Sequence, residues 1–359
     1  MSMKIPSMPV AGLLLFILAS CAQTPTEMSY FPERAGRDEQ RTYLWPSPPE
    51  VPRYRYTGQL LGEQNFGPSE RADPGVGETV FRWLVGLGAG LRPDPNVLTR
   101  PQSGMVEAGG RIIVTDVGRG ALFVFDALQG KLFIWERADQ GVAFSTPVGV
   151  TAGVGGEILV ADADLHRVVR LSGDGKPLGS FGADSLRRPT GLARDPETRR
   201  VYVADTRAHD IKVFDDNGTL LHRIGRHGSA PGEFNAPTHI SLVKNRLYVT
   251  DTLNARVQIL SMDGQPLKSV GKRGLYVGNL TRPKGVAVDS DGNVYVVESY
   301  YDHLLVFSQE GEFLLPIGGT GPGIGQFYLP AGAWSDDRGR LFVADMYNGR
   351  VVIFQYLGG

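Results

Sequence analysis

Residues 282–319 read RPKGVAVDSDGNVYVVESYYDHLLVFSQEGEFLLPIGG, and this stretch decides the fold. It divides into four strand-like runs. PKGVAV leads into an Asp291-Gly292 turn, NVYVVE is almost unbroken in its apolar character, HLLVF ends near a Glu310-Gly311 turn, and EFLLPIG follows. Short turns of this chemistry join antiparallel neighbours. A run as apolar as VYVV suits a strand covered on both faces.

The same unit recurs along the chain. IIVTD, ILVAD, VYVAD, LYVTD, VYVVE and LFVAD end at Asp116, Asp162, Asp205, Asp251, Glu298 and Asp345, spaced by 46, 43, 46, 47 and 47 residues. A proline keeps step at 101, 147, 189, 237, 283 and 330, with a glycine two or three residues later in all copies but the fourth, which has His239. A period of this size marks a propeller or a solenoid. Each unit is a four-stranded meander and no unit looks like a capping repeat, so the expectation is an all-β fold, a six-bladed β-propeller of four-stranded antiparallel blades over 97–359. Forty-seven glycines and twenty-four prolines agree with a turn-rich all-β chain.

Proline-x-glycine, then VYVAD, then a turn into RVxVF and a glycine-bounded outer run, resembles the NHL repeat. The resemblance spans roughly residues 97–357 in six copies. It implies the propeller fold. For function it implies a range: RNA-binding modules, protein-interaction modules, receptor sensor domains and a metal-dependent lyase.

The sixth copy, GRLFVADMYNGRVVIFQYLGG (339–359), lacks a fourth strand, whereas GQLLG within RYRYTGQLLGEQNF (53–66) matches the start of one. The segment 51–66 is therefore expected to supply that strand, with Tyr54–Leu61 pairing against Val351–Phe354 to close the ring. Residues 67–96 fit no repeat, and their Phe81, Trp83, Leu84 and Val85 suggest an extra segment packed on the propeller.

Residues 1–20 combine Lys4 with a short apolar run, as a signal peptide does, and LASC resembles a bacterial lipobox ending at Cys21. That resemblance implies lipid attachment at Cys21 and, with Ala22 rather than aspartate next, an outer-membrane destination in the cell envelope. Residues 21–50 carry five prolines and read as an extended tether. Cys21 is the sole cysteine, which excludes an internal disulfide and a thiolate metal site.

Arginine is distributed across two positions per repeat. Arg100, Arg188 and Arg282 precede the proline in copies one, three and five, while Arg167, Arg256 and Arg350 follow the acid by five residues in copies two, four and six. The expectation is that each acid has one guanidinium partner, reached from either side.

A search for catalytic chemistry finds little. The histidines at 166, 209, 222, 227, 239 and 303 lack metal-ligand spacing, and only His239 falls on an inner strand, so no metal and no cofactor are expected. The formal net charge of −1 argues against nucleic acid as a partner. Turn residues Leu165, Leu253, Tyr300, Tyr301, Met346 and Tyr347, together with His239, form a candidate partner or ligand surface, since exposed aromatics near arginine suit protein contact. The expected protein is a monomeric, lipid-anchored envelope propeller, a non-catalytic protein-binding or scaffolding module that touches the membrane only through its lipid. The alternatives are a lyase- or lactonase-type enzyme using a metal on the propeller axis, and a binder of envelope carbohydrate or small ligands.

Overall fold

The computed structural model describes residues 28–30, 42–66 and 96–358. Six antiparallel sheets stand around an axis; five run from an inner to an outer strand in chain order, and the sixth takes its outer strands from the N-terminal region. The inner strands are Pro101–Val106, Pro147–Ala152, Pro189–Asp195, Pro237–Val243, Pro283–Val288 and Ala333–Ser335. Each packs beside the next, and the sixth packs beside the first, so the ring is closed.

The second strands, from Ile112–Asp116 to Arg340–Asp345, are the most apolar runs of the sequence and the most deeply buried. Their two faces lie against the neighbouring blades. One such core joins Tyr248, Val257 and Ile259 of blade 4 to Val286, Val296 and Leu305 of blade 5. Burying each of the valine, isoleucine and leucine side chains among these stabilises the ring by roughly 1.5–3 kcal/mol before entropy is counted. The outer strands alternate between exposed and covered, as in Leu220–Ile224. Their turns require glycine at two positions in particular. Gly218 and Gly264 have φ of 88°, and a Cβ on either would lie 2.4 Å and 2.6 Å from Phe181 and Ile224 of the preceding blade.

Tyr54–Leu60 is the outer strand of blade 6. It pairs antiparallel with Arg350–Tyr356, from Tyr54 opposite Tyr356 to Leu60 opposite Val351, with a bulge between Tyr56 and Gly58. The N-terminal strand thus closes the ring as the sequence implied. Tyr54 also ties this seam to blade 5: its hydroxyl lies 3.2 Å from that of Tyr295, which donates to Asp289 at 2.6 Å.

Two features depart from the sequence reading. Part of the supposed tether is built into the fold, because Leu44–Trp45 forms a fifth strand on blade 6 and the Trp45 indole meets Phe354 edge-on at 5.3 Å. Tyr30 likewise docks on the closing strand, its carbonyl accepting from the Gln59 N–H and its hydroxyl from Arg340. Aromatic side chains among the prolines anchor these stretches. A small hairpin, Arg137–Asp139 with Val142–Ala143, is also inserted before blade 2. The expected signal peptide, Cys21 and, apart from Asn96, the extra segment expected at 67–96 lie outside the described residues.

Candidate functional site

All six repeat acids are buried at the end of the second strand. Each caps the backbone leading into its own inner strand. Asp116 accepts the N–H groups of Thr99 and Arg100, Asp162 those of Ser145 and Thr146, Asp205 those of Arg187 and Arg188, and Glu298 those of Thr281 and Arg282. Several also accept from the turn that follows, as Asp116 does from Gly118 and Arg119. Converging N–H groups offset much of the cost of burying a carboxylate, so a cation partner is not required at every acid.

This corrects the pairing expected from sequence. Arg256 and Arg350 do reach their acids, with Nε 2.9 Å from Asp251 and 2.8 Å from Asp345. The other four do not pair with theirs. Arg100, Arg188 and Arg282 offer the acid a main-chain N–H, the Arg188 guanidinium pairs instead with Asp164 at 2.8 Å, and Arg167 Nε donates to the Leu165 carbonyl.

The backbone explains the difference. Ala236 and Leu329, which precede the prolines of blades 4 and 6, have positive φ. Their N–H groups turn away to the blade before, to His209 Nδ1 and Asp302 Oδ1. Each acid thereby loses one main-chain donor, and Arg256 or Arg350 fills the gap. The guanidinium Nη2 of each then donates to two carbonyls of the loop before its own blade: Ala230 and Glu233 for Arg256, Gly323 and Gln326 for Arg350.

Blade 3 uses a cation that the arginine pattern did not reveal. Lys212 is fully buried and bridges Asp205 and Asp210, both at 2.7 Å. A lysine inside the apolar run DIKVF was its only sequence signal.

The turns after the acids open on one face of the disc, together with the loops that lead into each inner strand. Leu253, Tyr300 and Tyr347 stand well out of this face, 55%, 61% and 54% exposed. Tyr300 packs edge-on to Tyr301, and Tyr347 to Tyr328. Leu275, Tyr276 and Val277, in the loop before blade 5, extend the same surface and are exposed. Met346 is half-buried against Gln102. Leu165 is half-buried, packed against the core between blades 1 and 2.

His239 lies on the innermost strand of blade 4, reached by solvent yet surrounded by protein, and desolvation pushes its imidazole down to about 4. His209 and His227 stack edge-on at 4.5 Å, and burial with the neighbouring ring lowers His209. Lys284, on the inner strand of blade 5, is lowered by burial and by Arg282 and Arg188. Among the described residues no three histidine, cysteine or acidic side chains gather as a metal centre.

These features define a six-bladed β-propeller, and a family described as 6-bladed beta-propeller matches residues 196–268. A second, described as NHL repeat, matches residues 280–307, within blade 5. Protein brain tumor of Drosophila melanogaster is 26% identical over 130 residues, covering 35% of this chain and 12% of that protein. The E3 ubiquitin-protein ligase NHLRC1 of Homo sapiens is 33% identical over 64 residues, covering 18% of this chain and 16% of the other. The chain thus spans under a fifth of these relatives' length. Among solved structures, virginiamycin B lyase from Staphylococcus aureus superposes with a TM-score of 0.52 at 14% identity, covering 72% of this chain and 96% of the lyase. That likeness is one of fold.

Proposed function

We propose that this propeller is a non-catalytic protein-binding module, held at a bacterial envelope membrane by a lipid on Cys21. The observation that carries the reading is the row of outward side chains on the turn face of blades 4 to 6: Leu253, Tyr276, Tyr300, Tyr328 and Tyr347, each at least 47% exposed. Aromatic groups that keep a polar tip in water and an apolar ring ready for burial are the residues that dominate protein interfaces. A ring whose backbone is held by its buried acids presents them with little backbone ordering cost on binding.

Photo-crosslinkers at Leu253 and Leu275, compared in native envelopes with and without Tyr300→Ser and Tyr347→Ser, test this. A discrete protein adduct that the two serine substitutions abolish is the expected result. Adducts that persist in the serine variant, or no adducts above a crosslinker placed at exposed Leu128, would refute it. Retention of a Cys21→Ser protein in the membrane fraction would refute the anchor separately.

A further inference from the structure

Blades 4, 5 and 6 share one socket built from three parts. These are the acid ending the second strand, the residue five positions on that faces it across the hairpin, and two carbonyls of the loop before the blade. The register is the same in each: Asp251 opposite Arg256, Glu298 opposite His303, Asp345 opposite Arg350. The loops correspond too. A tight turn joins Glu233 N–H to the Ala230 carbonyl in blade 4, Asn279 to Tyr276 in blade 5, and Gln326 to Gly323 in blade 6. In blades 4 and 6 the molecule's own guanidinium fills the socket, one edge on the acid and the other on the two loop carbonyls.

Blade 5 has the same walls and no such filling. His303 turns its Nδ1 to the Tyr301 carbonyl. A cavity of about 60 Å³ remains, lined by Tyr276, Asn279, Glu298, Tyr301, His303 and the aliphatic rim of the loop. Glu298 receives three main-chain N–H groups, one shared between its two oxygens, and among the described residues no lysine or arginine pairs with it. Burial holds its carboxyl above the ordinary range. The carboxylate therefore keeps acceptor capacity on the cavity side, in an environment where a planar cation gains most from a fixed partner.

We infer that the blade 5 socket binds the side chain of an arginine presented by a partner protein, completing from outside the arrangement that Arg256 and Arg350 complete from within. The guanidinium faces Glu298 and donates to the Tyr276 and Asn279 carbonyls, and its aliphatic stem lies along Leu275, Tyr276 and Val277. The exposure of those three residues then has a use, since they cover the stem of the incoming side chain. This inference rests on the turn face being a protein-binding surface, and it names the chemistry that anchors the partner there.

The test titrates N-acetyl-arginine methylamide into the full-length protein and follows backbone amide resonances. Shifts confined to residues 274–281 and 298–303 are expected, with capped lysine and the Glu298→Gln protein each binding about tenfold more weakly, the loss of one charged hydrogen bond. The informative variant is His303→Arg, which places an arginine where blades 4 and 6 have theirs. It should fill the socket, raise the melting temperature and abolish the shifts. Unchanged arginine binding in His303→Arg, or shifts scattered over carboxylates elsewhere on the surface, would overturn the inference. The envelope crosslinking separates this outcome from the broader reading. A partner captured equally by His303→Arg but lost in the serine variant removes the socket and keeps the face. Specific arginine binding in a protein that captures nothing removes the face reading and keeps the socket.

Discussion

Replacing Tyr54 tests whether the ring is held by its N-terminal strand. Tyr54 is 1% exposed, packs against Tyr295 and Tyr356 at ring distances of 5.9 and 5.5 Å, and shares the hydroxyl contact with Tyr295. Tyr54→Ala empties a fully buried aromatic site, which costs about 3–5 kcal/mol. Tyr54→Phe keeps the ring and loses only a neutral hydroxyl contact, about 1 kcal/mol, because Tyr295 still donates to Asp289. At roughly 2–4 °C per kcal/mol for a domain of some size, the alanine variant should melt on the order of 10 °C lower and the phenylalanine variant about 3 °C lower. Thermal melts followed by circular dichroism, with urea midpoints alongside, measure both, and Leu128→Ala on an exposed turn is the control. If Tyr54→Ala behaves like Leu128→Ala, the seam carries no stability and the closure argument fails. Equal losses from alanine and phenylalanine would place the energy in the hydroxyl network instead of the packed ring.

Two further predictions follow from buried charge. Lys212→Met leaves Asp205 and Asp210 without their shared cation and should destabilise the protein by about 3–5 kcal/mol, read as a lower urea midpoint with an unchanged slope; a loss under about 1 kcal/mol would refute the clamp. His239, pushed down to about 4, is neutral in the folded ring and takes up its proton more readily when unfolded, so its contribution is full above about pH 6.5 and is lost as pH falls towards 4. His239→Gln should therefore flatten the acid side of the stability profile across that window, and a wild-type slope in the variant would show the imidazole does not titrate there.

The architecture was readable because each blade repeats one instruction: a proline, a doubly covered apolar run ending in an acid, and a glycine turn. Even the seam was visible, since the spare GQLLG upstream matched the strand missing after Phe354. The partners of the acids were not readable. Whether Arg282 offers its backbone or its guanidinium to Glu298 depends on φ at the residue before the proline, and nothing in the letters Ala236, Leu329 or Arg282 announces that choice. Lys212 was passed over for a related reason, because its partners come from two different strands of the blade. That Leu165 leans against the core while Leu253 stands out was not legible either, because position in a turn does not say which way the side chain falls. The socket of blade 5 emerges only when three blades are compared in space.

The seam also sets the order of events during folding. The Thr57 hydroxyl and the Ile353 carbonyl that meet across it are 296 residues apart in the chain. Five blades can form from contacts within some forty residues each, while the sixth must await a loop closure that spans the whole ring, which is entropically slow. Until then two unpaired strand edges stand open on the same particle, one seeking the other. At high concentration the nearest complementary edge belongs to a second copy, so exchange of Tyr54–Leu60 between rings is the natural misassembly of this protein.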